Sequence, residues 1–372
     1  MVTRYLMASL MAACFAGPAS ADEASPDFNT TTMTGDWDGA RTRLYNKGVE
    51  VEVVHKSDIL SNLAGGIKRG TAWMGYTSAS VAMDLDKLAK LDGTSAFVLF
   101  HSDLGSKFNR DYAGTYSGVD NIETTANTAQ FYQAWLQKSF YDDNLSVLGG
   151  LYAVDSEFYV TDTSGLFIQP PYGMANDLAQ AGQNGPPIYP MGALGVRVKY
   201  TSPTKSYYAQ YALTDGVPGD PNNPRGTHIQ LNKGDGSLSM LELGLTPVAT
   251  AQDDSEYFNK TAIGFWHYTS RFNDLDPAIT QSHSNQGIYF IAERTLMTEK
   301  ANASHGLSGF VRAGTASKEV NQADWTGSVG LRYRGLFDGR GDDIAGIAVT
   351  YNHASDTFRR LNIGALSNQT MG

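Results

Sequence analysis

Apolar and polar residues alternate strictly in many segments after residue 70. Within residues 192–201, every second side chain is apolar, and Arg197 and Lys199 lie between two of the apolar positions. A β-strand places such a series on two opposite faces, whereas a helix would bring both charges onto the apolar side. Because residues 324–337 repeat the pattern, it predicts strands rather than helices.

Counting such segments predicts thirteen strands. They are residues 48–60, 73–85, 94–103, 128–141, 144–156, 192–201, 206–215, 238–247, 259–271, 284–297, 305–316, 324–337 and 343–353. Short links rich in Asp, Asn, Gly and Pro join many of them as hairpins, and long links fall at residues 105–127, 161–191 and 216–236. Short turns at one end and long loops at the other are typical of outer-membrane barrels. The pattern predicts an all-β, transmembrane antiparallel β-barrel, with a soluble β-sandwich as the alternative.

Aromatic residues recur near the ends of the predicted strands. Amphipathic rings favour the headgroup level of a membrane, where one edge of the ring is wet. We therefore expect two interfacial belts drawn from this set: Trp73, Tyr76, Tyr132, Trp135, Tyr207, Tyr211, Trp266, Tyr268, Trp325, Tyr333 and Tyr351.

Composition agrees with a barrel. The mean hydropathy is -0.30 and only 18% of residues are charged, while glycine (39) and tyrosine (20) are abundant. Strands that alternate lipid-facing and lumen-facing residues give such an average. The net charge of -10 excludes a nucleic-acid partner, since phosphate binding needs clustered Lys and Arg.

The N-terminus has the features of an export signal. A positive start, a short apolar run and Ala19-Ser-Ala21 predict a secretory signal peptide over residues 1–21. The run is too short for a spanning helix, and the sequence before Cys14 is a poor lipoprotein site. Because Cys14 is the single cysteine, the mature chain has neither a disulfide nor a thiolate metal site. We expect a periplasmic segment over residues 22–47 and the barrel over residues 48–372.

Several charged and amide side chains fall on the predicted inward face. We expect these pore-lining candidates to form hydrogen bonds with a neutral polyol, although each could instead be a structural charge of the barrel interior. They are Gln133, Gln137, Arg197, Lys199, Glu242, Glu293, Arg312, Arg332 and Arg334.

Enzyme chemistry has little support. The seven histidines show no metal-ligand spacing, and no G-x-S-x-G elbow is present. Asp155 and Glu157 lie two apart in a predicted strand and are interpreted as lumen acids rather than a catalytic pair. We expect no enzyme activity, cofactor or metal.

Ordered motifs along the chain resemble the carbohydrate-selective porin family of the glucose-porin type. The first reads Met-Thr-Gly-Asp-Trp-Asp-Gly-Ala-Arg over residues 33–41 and precedes the first strand, as in that family. The later matches are Gly65-Gly66 with Gly70, and residues 83–88, 133–137, 190–197, 330–335 and 340–343.

This resemblance implies sixteen strands, extracellular loops folded toward the pore, and diffusion of monosaccharides. The predicted count of thirteen strands is three below sixteen, and it is odd, whereas bacterial single-chain barrels have even numbers of strands. We therefore expect either that the count is low or that further strands follow Gly372. The partners that the resemblance implies are small carbohydrates, outer-membrane lipid and the outer-membrane assembly machinery. The oligomeric state is left as either a monomer or a trimer. A general porin, a barrel-borne enzyme and a soluble sugar-binding sandwich are the competing functions.

Overall fold

A computed structural model describes residues 25–247, 257–300, 302, 304–337 and 339–366, with side chains of the last helix as far as residue 362. The helices are α1 (Phe28–Thr31), α2 (Ala40–Asn46), α3 (Leu85–Ala89), α4 (Asn176–Ala179) and α5 (Asp356–Leu366). The strands are β1 (Val49–Asn62), β2 (Gly70–Asp84), β3 (Thr94–Gly105), β4 (Thr128–Phe140), β5 (Leu145–Tyr152), β6 (Ala193–Thr201), β7 (Tyr207–Asp215), β8 (Ser237–Leu245), β9 (Asn259–Asn273), β10 (Ser282–Thr298), β11 (Gly306–Thr315), β12 (Ala323–Arg334) and β13 (Ile344–Ala354). The predicted signal peptide lies outside the described residues.

The thirteen strands form one antiparallel sheet in sequence order, from β1 to β13. Each predicted strand is present, which confirms the all-β antiparallel prediction. The three longest loops follow β3, β5 and β7, so they lie at the same end of the sheet. Within the described ranges, β1 and β13 each pair with a single strand, and none of the described helices is long and apolar enough to cross a membrane.

Six predicted strands end earlier than expected, and two of these ends are set by a helical turn or helix that follows. The strand predicted over 144–156 ends at Tyr152, because residues Val154–Ser156 form a 3-10 turn. Asp155 and Glu157 therefore lie at this turn and not in a strand, which corrects their predicted placement. The strand predicted over 73–85 ends at Asp84, whose carboxylate caps the start of α3.

The loop between β5 and β6, residues 153–192 and hereafter the inner loop, lies against one face of the sheet. Its apolar side chains join residues from β7 to β10 in the largest buried cluster. Polar contacts also reach β3, β4, β11 and β12. A single loop can touch so many strands only if the sheet curls around it, so this face is the interior of the barrel.

The belt predicted from aromatic residues is only partly correct. Trp73, Tyr207, Tyr211, Trp325 and Tyr351 are exposed on the outer face, where a belt requires them. Four others are buried in the interior, so their assignment to a belt was wrong: Tyr76, Tyr132, Trp266 and Tyr268. The alternation predicts that each ring lies in a strand. It does not show whether the face that carries the ring meets lipid or is covered by the inner loop.

Candidate pore interior

The carboxylate of Glu242 on β8 binds the inner loop to the wall. Its two oxygens accept hydrogen bonds from the hydroxyls of Tyr208 (2.6 Å) and Tyr289 (2.6 Å) and from Gln210 Nε2 (3.1 Å). The backbone N–H of Tyr159 in the inner loop donates to the same carboxylate at 2.9 Å. Glu242 is fully buried, and because a buried carboxylate needs partners for its lone pairs, this arrangement holds the loop in one position.

Arg312 on β11, three strands from β8, also binds the inner loop. Its guanidinium donates to the carbonyl oxygen of Tyr159 at 2.8 Å and to those of Tyr172 and Gly173. The same group lies 4.9 Å from the ring centroid of Tyr159. The rigid fork of donors on arginine suits several carbonyl groups at once, which a lysine could not match.

Two further wall residues contact the loop between these anchors. Glu293 on β10 accepts hydrogen bonds from the N–H and the hydroxyl of Thr163, both at 3.0 Å. Lys260 on β9 donates to the carbonyl of Val160 at 2.9 Å. Together with Glu242 and Arg312, these side chains fix the backbone of the loop rather than face open solvent.

Asp177 in α4 lies inside this network and is fully buried. Burial raises the pKa of Asp177 to about 7, even though its backbone N–H, Arg312 and the Tyr159 and Thr326 hydroxyls lower it. Its backbone N–H donates to the Thr326 hydroxyl on β12 at 3.2 Å. The carboxyl is therefore partly protonated near neutral pH.

A second polar group, hereafter the Glu157 patch, consists of Gln137, Glu157, Arg197 and Lys199. Arg197 donates to Glu157 Oε2 at 2.8 Å and to Gln137 Oε1 at 2.6 Å, and Lys199 Nζ lies 3.5 Å from Glu157 Oε1. Burial raises the pKa of Glu157, but the two cations and a Tyr152 hydroxyl more than offset this, so the pKa is lowered. The patch therefore carries one negative charge, on Glu157, and two positive charges, on Arg197 and Lys199.

An aromatic surface adjoins the patch along β4. Trp135 is half-buried on the same face as Gln137, and its Nε1 donates to Gln133 Oε1 at 3.1 Å. The ring of Phe97 on β3 lies 5.4 Å from that of Trp135. Trp135 and Glu157 were not among the pore-lining candidates, although Trp135 lies midway between two of them in the strand. Trp135 was instead predicted for an aromatic belt, and its position on the inner face shows that this assignment was wrong as well.

The last two candidates lie elsewhere on the wall. Arg332 on β12 lies over the ring of Phe258 at 4.9 Å, and Arg334 pairs with Asp342 at 3.1 Å. Strand β12 is six strands from β6 in the sheet order, so the structure does not bring these arginines to the Glu157 patch. All nine candidates thus lie on the inner face, where they divide into loop anchors, the patch with Gln133, and the β12 pair. Their contact with solute stays a prediction.

The comparisons with known proteins agree with this architecture. Residues 68–370 match the family described as carbohydrate-selective porin, OprB family. Porin B of Pseudomonas aeruginosa is 25% identical, covering 92% of this chain and 79% of that protein. The high-pH structure of Pseudomonas putida OprB has a TM-score of 0.77 at 20% identity, covering 91% of this chain and 84% of the other. The low-pH structure of the same protein has a TM-score of 0.52 at 17% identity, covering 87% and 83%.

The family match spans most of the chain and agrees with the fold. Porins are channels, which confirms the expectation that the chain is not an enzyme. The chain belongs to the carbohydrate-selective porin, OprB family.

Proposed function

We propose that this protein is a passive channel through which small monosaccharides such as glucose cross the outer membrane. In this proposal residues 1–21 direct export, residues 22–47 lie on the periplasmic side, and the assembly machinery inserts the barrel into outer-membrane lipid. The observation that carries the proposal is the Glu157 patch beside Trp135 on the inner face.

The chemistry of the patch suits a sugar. Gln137 and Glu157 offer acceptors, and Arg197 and Lys199 offer donors, so hydroxyl groups can exchange water for protein partners. The indole face of Trp135 can meet the apolar C–H face of a sugar ring. Because the patch carries charges of both signs, it favours a neutral polyol, and weak binding of this kind permits release as well as entry.

The inner loop supports selection by size. A loop bound to the wall by Glu242, Glu293 and Arg312 reduces the free cross-section at its own level. Since these anchors are buried and hydrogen-bonded, the reduced opening has a fixed width. A fixed constriction passes a monosaccharide and retards larger solutes.

Planar-bilayer recording tests the proposal directly. We expect the purified protein to give steady conductance that millimolar glucose reduces reversibly. The Trp135→Leu variant should weaken the glucose effect while it leaves the open channel in place. Trp325→Leu is the matched control, because Trp325 lies exposed on the outer face of β12. Conductance that responds to no sugar would contradict selectivity and favour a general porin.

A further inference from the structure

The backbone ladder between β4 and β5 does not extend along the first residues of β4. Pairing between β4 and β5 begins at Ala134 and Leu151, although β4 itself begins at Thr128. The cause is the early end of β5 at Tyr152, where the chain turns into the interior. Among the described residues, positions 128–131 and 133 therefore have a strand partner only on their β3 side, and Tyr132 lies at a bulge between them.

The loop between β7 and β8, residues 216–236 and hereafter the strap, reaches this free edge. Its base is closed by a hydrogen bond from Gly216 N to the carbonyl of Gly236 at 3.2 Å. At its far end, the Thr227 hydroxyl accepts from the Phe131 N–H and Gly226 N donates to the Thr128 hydroxyl, both at 2.7 Å. Thr227 thus lies beside Phe131, where a continued β5 would place its second residue after Tyr152.

The returning half of the strap has the side-chain alternation of a wall strand. Ile229 and Leu231 are 53% and 70% exposed, whereas His228 and Gln230 are half-buried. His228 Nε2 lies 2.8 Å from the carbonyl of Arg225, and Gln230 Nε2 donates to Asp220 Oδ2 at 3.3 Å. Polar side chains thus bond back to the strap, and apolar ones point away from it.

We propose that residues 226–231 complete the barrel wall beside β4, with Ile229 and Leu231 in contact with the acyl chains of the outer membrane. This inference rests on the proposed function, because it requires the barrel to span that membrane. Hydrocarbon does not tolerate an unpaired strand edge, so the Phe131 N–H needs a partner there. The side chains of Phe131 on β4 and Leu213 on β7 are also apolar and exposed.

The arrangement also makes this part of the wall different from the rest. Neighbouring strands are joined by backbone ladders, whereas the strap is bound to β4 by two hydrogen bonds that each use a threonine hydroxyl. Two side-chain bonds open more readily than a ladder does. The strap therefore acts as a lateral seal, whose release would expose the interior to lipid.

Spin labelling in lipid vesicles tests the contact with acyl chains. Single cysteines at Ile229, Gln230 and Leu231 are introduced with Cys14→Ser, which removes the single native cysteine. We expect labels at 229 and 231 to collide with oxygen more than with a nickel chelate, as a label at the outward strand residue Val196 should. The label at 230 should not collide with oxygen more than with the nickel chelate.

The outcomes separate this inference from the proposed function. Nickel-accessible labels at 229 and 231, together with a lipid-exposed label at Val196, would overturn the strap inference alone. A water-exposed label at Val196 would overturn the spanning barrel and, with it, the inference.

A conservative pair of variants tests the seal itself. Thr227→Val removes the acceptor and should speed hydrogen exchange at the Phe131 amide by about tenfold, whereas Thr227→Ser should keep the protection of the parent. Equal exchange in both variants would show that Thr227 does not cap the edge of β4.

Discussion

Tyr289 on β10 covers Gly264, the residue directly opposite it on β9: a Cβ on Gly264 would lie 2.0 Å from Cζ of Tyr289. The same relationship recurs at three other large rings of the inner face. The other pairs are Tyr208 with Gly244, Trp266 with Gly287, and Phe310 with Gly330. Glycine opposite each ring lets it lie against the sheet, and for Tyr208 and Tyr289 this brings the hydroxyl to Glu242.

Gly244→Ala should therefore detach Tyr208 from Glu242. The added methyl would lie 2.1 Å from Cε1 of Tyr208, so the ring must move. We expect a loss of about 1–3 kcal/mol in the free energy of unfolding, as for overpacked cores. Urea titration of the protein in lipid measures it. Gly149→Ala on β5 is the control, since its nearest atom would be 4.0 Å away; equal losses in both variants would contradict the covering role.

These glycine pairs show why the sequence predicted the strand of an aromatic residue but not the packing of its ring. Alternation predicts that Trp266 lies in a strand, and its opposite position on β10 is Gly287. A glycine at that position is a signal for a ring lying against the wall, but it can be used only when the register of the two strands is known. The strands themselves were predictable because each alternation is local. The contacts that hold the inner loop against the wall were not predictable, because the anchoring residues lie far from the loop in sequence.

Arg312→Lys should loosen the inner loop while keeping the charge. Lysine presents one compact ammonium group and cannot reach the three carbonyls that the guanidinium contacts. Each lost hydrogen bond to a charged group costs about 1.5–3 kcal/mol, so amide exchange over residues 159–173 should accelerate. Arg340→Lys, on an exposed turn, should leave exchange there unchanged. Unchanged protection in the Arg312 variant would show that the loop holds its position without this anchor.

Asp177 should make stability fall as pH rises from about 4 to about 7. The unfolded carboxyl has a pKa near 3.9, and burial raises the folded value to about 7. Between these values the unfolded state releases a proton that the folded state keeps. The free energy of unfolding therefore falls by up to about 1.4 kcal/mol for each pH unit of increase. Below this window both states are protonated and above it both are ionised, so the contribution is constant. Asp177→Asn should flatten this part of the pH profile measured by thermal unfolding; an unchanged slope would assign the effect to other groups.

Lys199→Met should shift the channel toward cations. Lys199 is half-buried in the Glu157 patch, and its removal leaves the charge of Glu157 balanced by Arg197 alone. The reversal potential under a potassium chloride gradient measures the shift. Lys138→Met is the matched control, because Lys138 on β4 lies one position from Gln137 and hence on the opposite face. Similar shifts in both variants would mean that surface charge, not the patch, sets ion preference.

The patch shows where sequence reasoning succeeded and where it could not. Gln137, Arg197 and Lys199 were identifiable because they lie at inward positions of regular strands. Glu157 was identified as a lumen acid but was placed in a strand, because no local pattern marks the turn after Tyr152. The division of the inward charges into loop anchors and patch depends on where the inner loop lies, which is a tertiary property.

The alternation that underlies the fold can be tested along β12. Val329 and Leu331 are 52% and 41% exposed, whereas Ser328 and Arg332 are 6% and 9% exposed. Nitroxide labels placed one at a time over residues 328–334 in vesicles should therefore report lipid at 329 and 331 and exclude oxygen at 328 and 332. A strand gives this period of two, because successive side chains point to opposite faces. A repeat near 3.6 residues, or uniform burial, would be incompatible with a wall that has lipid on one side and a polar interior on the other.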